Sequence, residues 1–270
     1  MGWVWYNKGQ QSRIMSENVI FEQETKGGVV VQFFDLHSHM LCGVDDGAKT
    51  SEEMFAMLEM AYEDGIRAIC LTPHYSPYLF GDTFETSARS FEVLKEYVSK
   101  KHPDMRLFIG HELGYHHSGL DALNDGKCRL VAGSRYVLVD FPETVEFFEI
   151  QSAMDQLQRA GYFVILAHTE RYRCLFNHFG WIERFVEEGG VVQINASSVN
   201  GDWGKGAAKQ WKKLVKKGFA HIISTDAHNL TSRKPLMSVC MPYLQKHCDA
   251  RTIRALTWDN ACRVVRDELI

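Results

Sequence analysis

Val29-Val30-Val31-Gln32-Phe33-Phe34-Asp35-Leu36-His37-Ser38-His39 is the stretch from which the rest of the chain is read. Its first six residues are β-branched or aromatic apart from Gln32, the composition of a buried strand. Alternate side chains of an extended chain share a face, so His37 and His39 point the same way at the strand's end. Two imidazoles so placed form a chelating pair for a divalent metal. Asp35 is in the same phase and is expected to orient one of them from behind. His-x-His alone is a weak signal, since two hydrogen-bonded histidines at a strand end would look the same. The decision comes from what surrounds it.

Working outward, the pattern recurs. A strand over 66–71 ends in Thr72-Pro73-His74, one over 106–110 in His111-Glu112, and one over 135–139 in Asp140-Phe141-Pro142. A strand over 163–167 ends in His168, one over 191–194 follows, and one over 221–224 ends in Asp226-Ala227-His228. Between them lie helical patterns over 51–64 (capped by Ser51 and ended by Gly65), 84–101, 145–160, 179–188 and 205–217, and the tail from Pro235 reads as helical. Such alternation implies a parallel sheet. An open sheet gathers functional residues near one switch point, whereas ligand-type residues at six strand ends favour a closed α/β barrel of TIM-like form. No internal repeat, domain linker or Gly-rich phosphate loop interrupts the pattern. Residues 1–28, with Trp3, Trp5, Tyr6 and Phe21, are set aside as an N-terminal extension to a single domain over 29–270.

Composition narrows the function. The 270 residues are 45% hydrophobic, enough for a sizeable core. A net charge of −4 argues against a duplex-binding surface, so no nucleic-acid partner is expected. Seven scattered cysteines without Cys-x-x-Cys suit reduced thiols in a cytoplasmic protein. No apolar run approaches the ~18 residues of a membrane span, so no membrane insertion is expected. Imidazole and carboxylate ligands without thiolate suit Mn, Zn, Fe or Mg, and several carboxylates among them suggest bridged ions.

Asp-Leu-His-Ser-His (35–39), Val-Asp-Asp-Gly-Ala (44–48), Leu-Thr-Pro-His (71–74), Gly-His-Glu (110–112), Leu-Ala-His-Thr-Glu-Arg (166–171) and Ser-Thr-Asp-Ala-His-Asn (224–229) together resemble the polymerase-and-histidinol-phosphatase (PHP) superfamily. Within it they are similar to the bacterial manganese-dependent protein-tyrosine phosphatases of capsule and exopolysaccharide loci. The resemblance spans about residues 33–270. It implies a distorted (β/α)7 barrel holding three divalent metal ions, Mn²⁺ first, with Fe, Zn, Co or Mg as alternatives. His37, His39, Glu112 and Asp226 would hold one ion. Glu112 would bridge to a second, shared with Asp140 and His168, and Asp46, His74 and His228 would hold the third. Arg171 and Arg233 would bind the phosphate oxygens, a role the planar guanidinium suits. Where those phosphatases carry Glu, this chain has Asp140, one methylene shorter, and Thr169 replaces the usual Pro or Ile. The implied partner is a phosphotyrosine protein, the C-terminal tail of a tyrosine autokinase controlling polysaccharide export. Hydrolysis of a small phosphomonoester such as histidinol phosphate is the alternative.

Other signals are weighed and set aside. His247-Cys248 through Arg254 matches the His-Cys-x5-Arg signature of cysteine-based phosphatases. That loop turns backbone N–H groups around phosphate and needs glycine, which is absent here. An amidohydrolase would want a bridging lysine where Glu112 and Asp140 stand. The lysine pairs 212–213 and 216–217 read as a solvated helix face, and His102, His116 and His117 as solvated histidines. Tyr75, Tyr78 and Phe80, following His74, are expected at the active face, where aromatic rings can stack on a phosphotyrosine.

Overall fold

The structure, a computed structural model, describes residues 22–25, 28–116 and 119–270. Two short strands, β1 (Glu22–Thr25) and β2 (Gly28–Val31), pair antiparallel ahead of the body. The barrel itself begins at β3 (Phe33–Ser38). The apolar run from Val29 is therefore divided at Gln32: residues 29–31 pair back on 22–24, whereas Phe33 N donates to Gly65 O at 3.0 Å and joins the sheet. Trp3, Trp5, Tyr6, Phe21 and His117 lie outside the described residues.

The order then is α1 (Ser51–Glu63), β4 (Ile66–Leu71), β5 (His74–Tyr75), α2 (Pro77–Phe80), α3 (Phe84–Lys101), β6 (Arg106–Ile109), β7 (Glu112–Gly114), α4 (Gly119–Asn124), β8 (Tyr136–Asp140), α5 (Phe147–Arg159), β9 (Phe163–Leu166), α6 (Phe179–Glu187), β10 (Val191–Asn195), α7 (Gly204–Lys217) and β11 (Ile222–Ser224). Thr50, rather than Ser51, caps α1, its hydroxyl accepting from Glu53 N at 3.2 Å. Gly65 follows with a φ of +99°, a value glycine adopts without strain.

Within the barrel every neighbouring pair is parallel: β3 with β4, β4 with β6, β5 with β7, then β7, β8, β9, β10 and β11 in sequence. β4 and β5 are two halves of one strand broken at Thr72-Pro73, and β6 and β7 two halves broken at Gly110-His111. Counted as whole strands there are seven. The ring closes where Ser38 bridges Ala227: Asp226 N donates to His37 O and His39 N to Ala227 O, both at 2.9 Å. A distorted (β/α)7 barrel follows from these pairings.

Alternation splits the core in two. Ile69, Leu71, Val137, Val139, Val164, Leu166, Val192 and Ile194 pack outward on helix residues such as Met54, Leu94, Ile150, Ile182 and Leu214. Their neighbours Ala68, Cys70, Leu138, Ile165, Ala167 and Val191 fill the lumen with Phe34 and Leu36. A strand buried on both faces is a near-continuous apolar run, as these are apart from Arg67 in β4 and Gln193 in β10. The tail runs through α8 (Met241–His247), α9 (Ala250–Arg254), a π-turn (Ala255–Asp259) and α10 (Asn260–Val265). Trp258, Ala261 and Val264 plug the lumen's lower end, with the Trp258 ring 6.1 Å from that of Phe34. Polar side chains are thereby confined to the upper lumen. His102, expected in solvent, instead meets Glu59 Oε1 at 2.8 Å and stacks on Tyr62 at 3.8 Å. No helix among the described residues is long and apolar enough to cross a membrane.

Candidate metal centre

All nine residues expected to bind metal converge at the C-terminal end of the barrel. Glu112, fully buried at the start of β7, is the hub. Its Oε1 lies 3.2 Å from His37 Nε2 and 3.1 Å from His168 Nε2, and its Oε2 lies 3.2 Å from His39 Nε2 and 3.0 Å from His74 Nδ1. His37 and His39 aim their Nε2 atoms at one point, 3.1 Å apart. Asp226 Oδ1 stands 3.5 Å from both. On one side Asp140 Oδ1 reaches within 3.4 Å of His168 Nε2, despite its shorter side chain. On the other, Asp46 Oδ1 lies 3.3 Å from His228 Nε2 and 3.6 Å from His74 Nε2. The nine form one continuous cluster. His39 groups with Asp46, His74 and His228 as well as with His37 and Glu112, and His74 also groups with Glu112 and Asp140.

Asp35 does not orient an imidazole. The β3–β4 register slips between Asp35 and Ser38, which breaks the alternation assumed from spacing. Its carboxylate instead receives Thr225 N at 2.9 Å and Thr225 Oγ1 at 2.5 Å, tying β3 to the end of β11. The orienting groups are Gln193 and Asp45. Gln193 Oε1 sits 3.2 Å from His37 Nδ1 and accepts from His168 N at 2.8 Å. Asp45 Oδ2 sits 2.7 Å from His39 Nδ1 and accepts from His74 N at 2.9 Å, while its Oδ1 accepts from Gly47 N at 2.9 Å. Gly47 is obligatory for a steric reason: a Cβ there would stand 1.8 Å from His39 O. His168 and Asp226 have positive φ (29° and 52°), uncommon for residues with a side chain and characteristic of functional sites. A glutamine inside the run Val-Val-Gln-Ile-Asn, and a second aspartate beside Asp46, were the sequence signals for Gln193 and Asp45.

The electrostatics fit cations. Burial opposes charge on His37 and His74, yet the carboxylates around them overcome it and raise them to about 9 and 10, Glu112 foremost in both cases. Burial likewise works against charge on Glu112 and Asp226, but the surrounding imidazoles, His37 first, hold both well below the usual carboxylate range. Asp140 is pushed up, by burial first and then by Glu112. His228 is pushed down to about 4, by burial and then by His39. Glu112 Oε2, Asp226 Oδ1 and His228 Nε2 are buried and, beyond these close imidazole–carboxylate contacts, make no well-aligned hydrogen bond among the described residues. Divalent cations held by these residues would satisfy the three atoms and take the place of the protons.

Arg171 and Arg233 meet at the rim. Asp226 Oδ2 accepts from Arg233 Nη2 at 2.7 Å, Asn195 Nδ2 at 2.9 Å and Arg171 Nη1 at 3.2 Å. Behind them stands Trp203, not singled out from sequence, its ring 3.6 Å from the Arg171 guanidinium carbon and 5.5 Å from that of Arg233. Phe80 stacks on the His74 ring at 5.4 Å and 6°, and Tyr78 and Leu79 beside it are exposed. Tyr75, by contrast, is buried. The Cys248 segment forms no phosphate loop: Cys248 ends α8, Asp249 caps α9, and Arg254 pairs with Asp259 at 3.0 Å.

Fold and site together define a metal-binding parallel barrel of hydrolase type. Residues 33–266 match the family described as capsular polysaccharide synthesis, CpsB/CapC, and the chain belongs to it. Among curated proteins it is 29% identical over 241 residues to the tyrosine-protein phosphatase CpsB of Streptococcus pneumoniae, spanning 87% of this chain and 99% of that one. It is 27% identical over 237 residues to the tyrosine-protein phosphatase YwqE of Bacillus subtilis, spanning 87% and 92%. A crystal structure from work on YwqE and CpsB, described there as unique metal-dependent tyrosine phosphatases, superposes with a TM-score of 0.76 at 25% identity, covering 88% of this chain and 96% of that one. An amidohydrolase from Mycoplasma synoviae shares the fold, with a TM-score of 0.56 at 12% identity, covering 90% and 91%.

Proposed function

We propose that this protein is a metal-dependent tyrosine-protein phosphatase serving capsular polysaccharide synthesis. The observation that carries the reading is the meeting, at one barrel mouth, of a Glu112-centred imidazole–carboxylate cluster with two arginines converging on Asp226. The relatives carry the same activity in name, and the family match covers nearly the whole chain.

We infer three divalent ions, Mn²⁺ first: His37, His39, Glu112 and Asp226 would hold one, Glu112, Asp140 and His168 the second, and Asp46, His74 and His228 the third. When bound, such ions supply Lewis acidity, neutralising phosphate charge and lowering the pKa of water. The chain's own residues do the rest. Arg171 and Arg233 are held from one side by Asp226, leaving guanidinium N–H groups for the phosphate oxygens. Gln193 and Asp45 fix the imidazoles, so little reorganisation accompanies substrate binding. Phe80 and Tyr78 provide the aromatic wall for the phenyl ring. A tyrosinate leaving group, pKa about 10, needs little protonation, and no general acid is assigned. The substrate in the cell is the C-terminal tail of a tyrosine autokinase, met in the cytoplasm.

The test is phosphate release from a phosphotyrosine peptide by metal-stripped protein with Mn²⁺ restored, beside His37→Ala and Cys248→Ser. Activity that requires Mn²⁺, is lost with His37 and survives loss of Cys248 is expected. Activity indifferent to metal, or a larger kcat/KM on histidinol phosphate than on the peptide, would refute the reading.

A further inference from the structure

The molecule's charge is unevenly placed. Between Glu188 and Asp226 the chain carries six lysines (205, 209, 212, 213, 216 and 217) and a single carboxylate, Asp202. That is +5 for this segment against a whole-chain net of −4, leaving −9 for the remainder. All six lysines lie on α7, whose inner face buries Ala207, Trp211, Leu214 and Val215, so every lysine is on the exposed face. None forms an ion pair among the described residues. On α3, by contrast, Lys95 and Lys100 meet Glu92 and Glu96 at 3.0 and 2.6 Å. A merely solvated helix face ordinarily mixes signs in the way α3 does.

The stripe starts at the active site. α7 begins directly after Trp203, whose ring backs both arginines. Beside it runs a shallow groove of about 410 Å³, floored by Val199, Gly201 and Ala208 and rimmed by Lys205, Lys209 and Lys212. Seven residues of helix separate the outer two lysines, a rise of about 10 Å, which an extended peptide spans in about three residues.

We propose that this groove is a second anion subsite, which binds an acidic or further phosphorylated stretch, about three residues long, beside the phosphotyrosine being hydrolysed. The proposal rests on the phosphatase reading of the neighbouring site. Three exposed lysine–anion contacts together lower KM by about fivefold to tenfold at low salt, and the gain fades as the Debye length shrinks.

The experiment compares wild type with the triple variants Lys205→Glu/Lys209→Glu/Lys212→Glu and Lys205→Ala/Lys209→Ala/Lys212→Ala, all loaded with Mn²⁺. Substrates are para-nitrophenyl phosphate, a phosphotyrosine peptide with neutral flanks, and the same peptide with a second phosphotyrosine three residues away. Wild type is expected to favour the doubly phosphorylated peptide fivefold to tenfold in KM at low salt. The alanine variant loses that preference, the glutamate variant reverses it, and turnover of para-nitrophenyl phosphate is unchanged in both. Equal KM for the two peptides in wild type, or a preference that persists in the glutamate variant, overturns the proposal. Fluorescence anisotropy of the labelled doubly phosphorylated peptide on metal-free protein judges the groove even if no substrate is hydrolysed, an outcome that would sink the phosphatase reading instead. Lysine-dependent binding to phosphatidylglycerol vesicles, without a preference between the peptides, would mean a membrane partner and also overturn the proposal.

Discussion

Asp45→Asn isolates the contribution of a residue that touches ligands without being assigned as one. Its two oxygens serve three donors: Oδ2 lies at 2.7 Å from His39 Nδ1 and accepts His74 N at 2.9 Å, and Oδ1 accepts Gly47 N at 2.9 Å. An asparagine has one acceptor oxygen. Turned toward the histidines, it leaves its amide N–H₂ facing the Gly47 N–H; turned the other way, it faces both histidine donors with more donors. Either choice loses a contact, and the bond to His39 also ceases to be charge-assisted. Removal of such a supporting group typically weakens metal affinity or activity 10- to 100-fold, about 1.4–2.7 kcal/mol. The assay is activation of chelator-stripped enzyme by Mn²⁺, with para-nitrophenyl phosphate as substrate. The Mn²⁺ midpoint is expected to rise by that factor, with activity largely recovered at saturating metal and Tm changed little. A midpoint equal to wild type would refute the claim that Asp45 holds the imidazoles for metal.

Gly47→Ala should fold, by far-UV circular dichroism, yet lose more than tenfold in Mn²⁺-dependent activity, because a Cβ 1.8 Å from His39 O must displace the loop carrying Asp45 and Asp46. Trp203→Ala should raise KM for a phosphotyrosine peptide severalfold, the effect of losing a cation–π contact worth about 0.5–2 kcal/mol, and Trp203→Phe should restore part of it. His221, held down to about 4 by burial, should make stability depend on pH. Its folded-state pKa lies below the ordinary 6.5, so the unfolded chain takes up the proton first; stability present above pH 6.5 is lost as pH falls toward 4, by up to about 3 kcal/mol. Chemical denaturation of His221→Asn at pH 7 and pH 4.5 should show a smaller drop than wild type shows.

Most of the ligands were legible because they close apolar runs, and a barrel turns that one-dimensional position into proximity; Asp46, on the loop after β3, was reached only through the family resemblance. Glu112 and Asp226 are 114 residues apart in sequence yet face the same two imidazoles. What sequence spacing missed was local irregularity. The register shift in β3 accompanies Asp35 turning to Thr225 rather than to an imidazole, and alternation alone gives no sign of such a shift. The breaks at Thr72-Pro73 and Gly110-His111 split two strands, yet each carries its ligand only after the break, at His74 and Glu112. Val29–Val31 looked continuous with β3 because a hairpin strand and a barrel strand draw on the same residues. Trp203 gave no signal at all, since a tryptophan in a Gly-Asp-Trp-Gly turn becomes informative only when the arginines beneath it are seen.

The ring of strands is fastened at its seam by Ser38 and Ala227, and the seam is where His37 and His39 meet Asp226 and His228. A ribosome that has made the first six strands has made a surface with ligands but no enclosure. The fastening arrives with residues near 226, and the plug beneath it with Trp258 and Val264. A nascent or truncated chain therefore exposes histidines without assembling the site. The last barrel strand thus supplies both the seam and two of the candidate ligands, Asp226 and His228, and the cluster is incomplete without it.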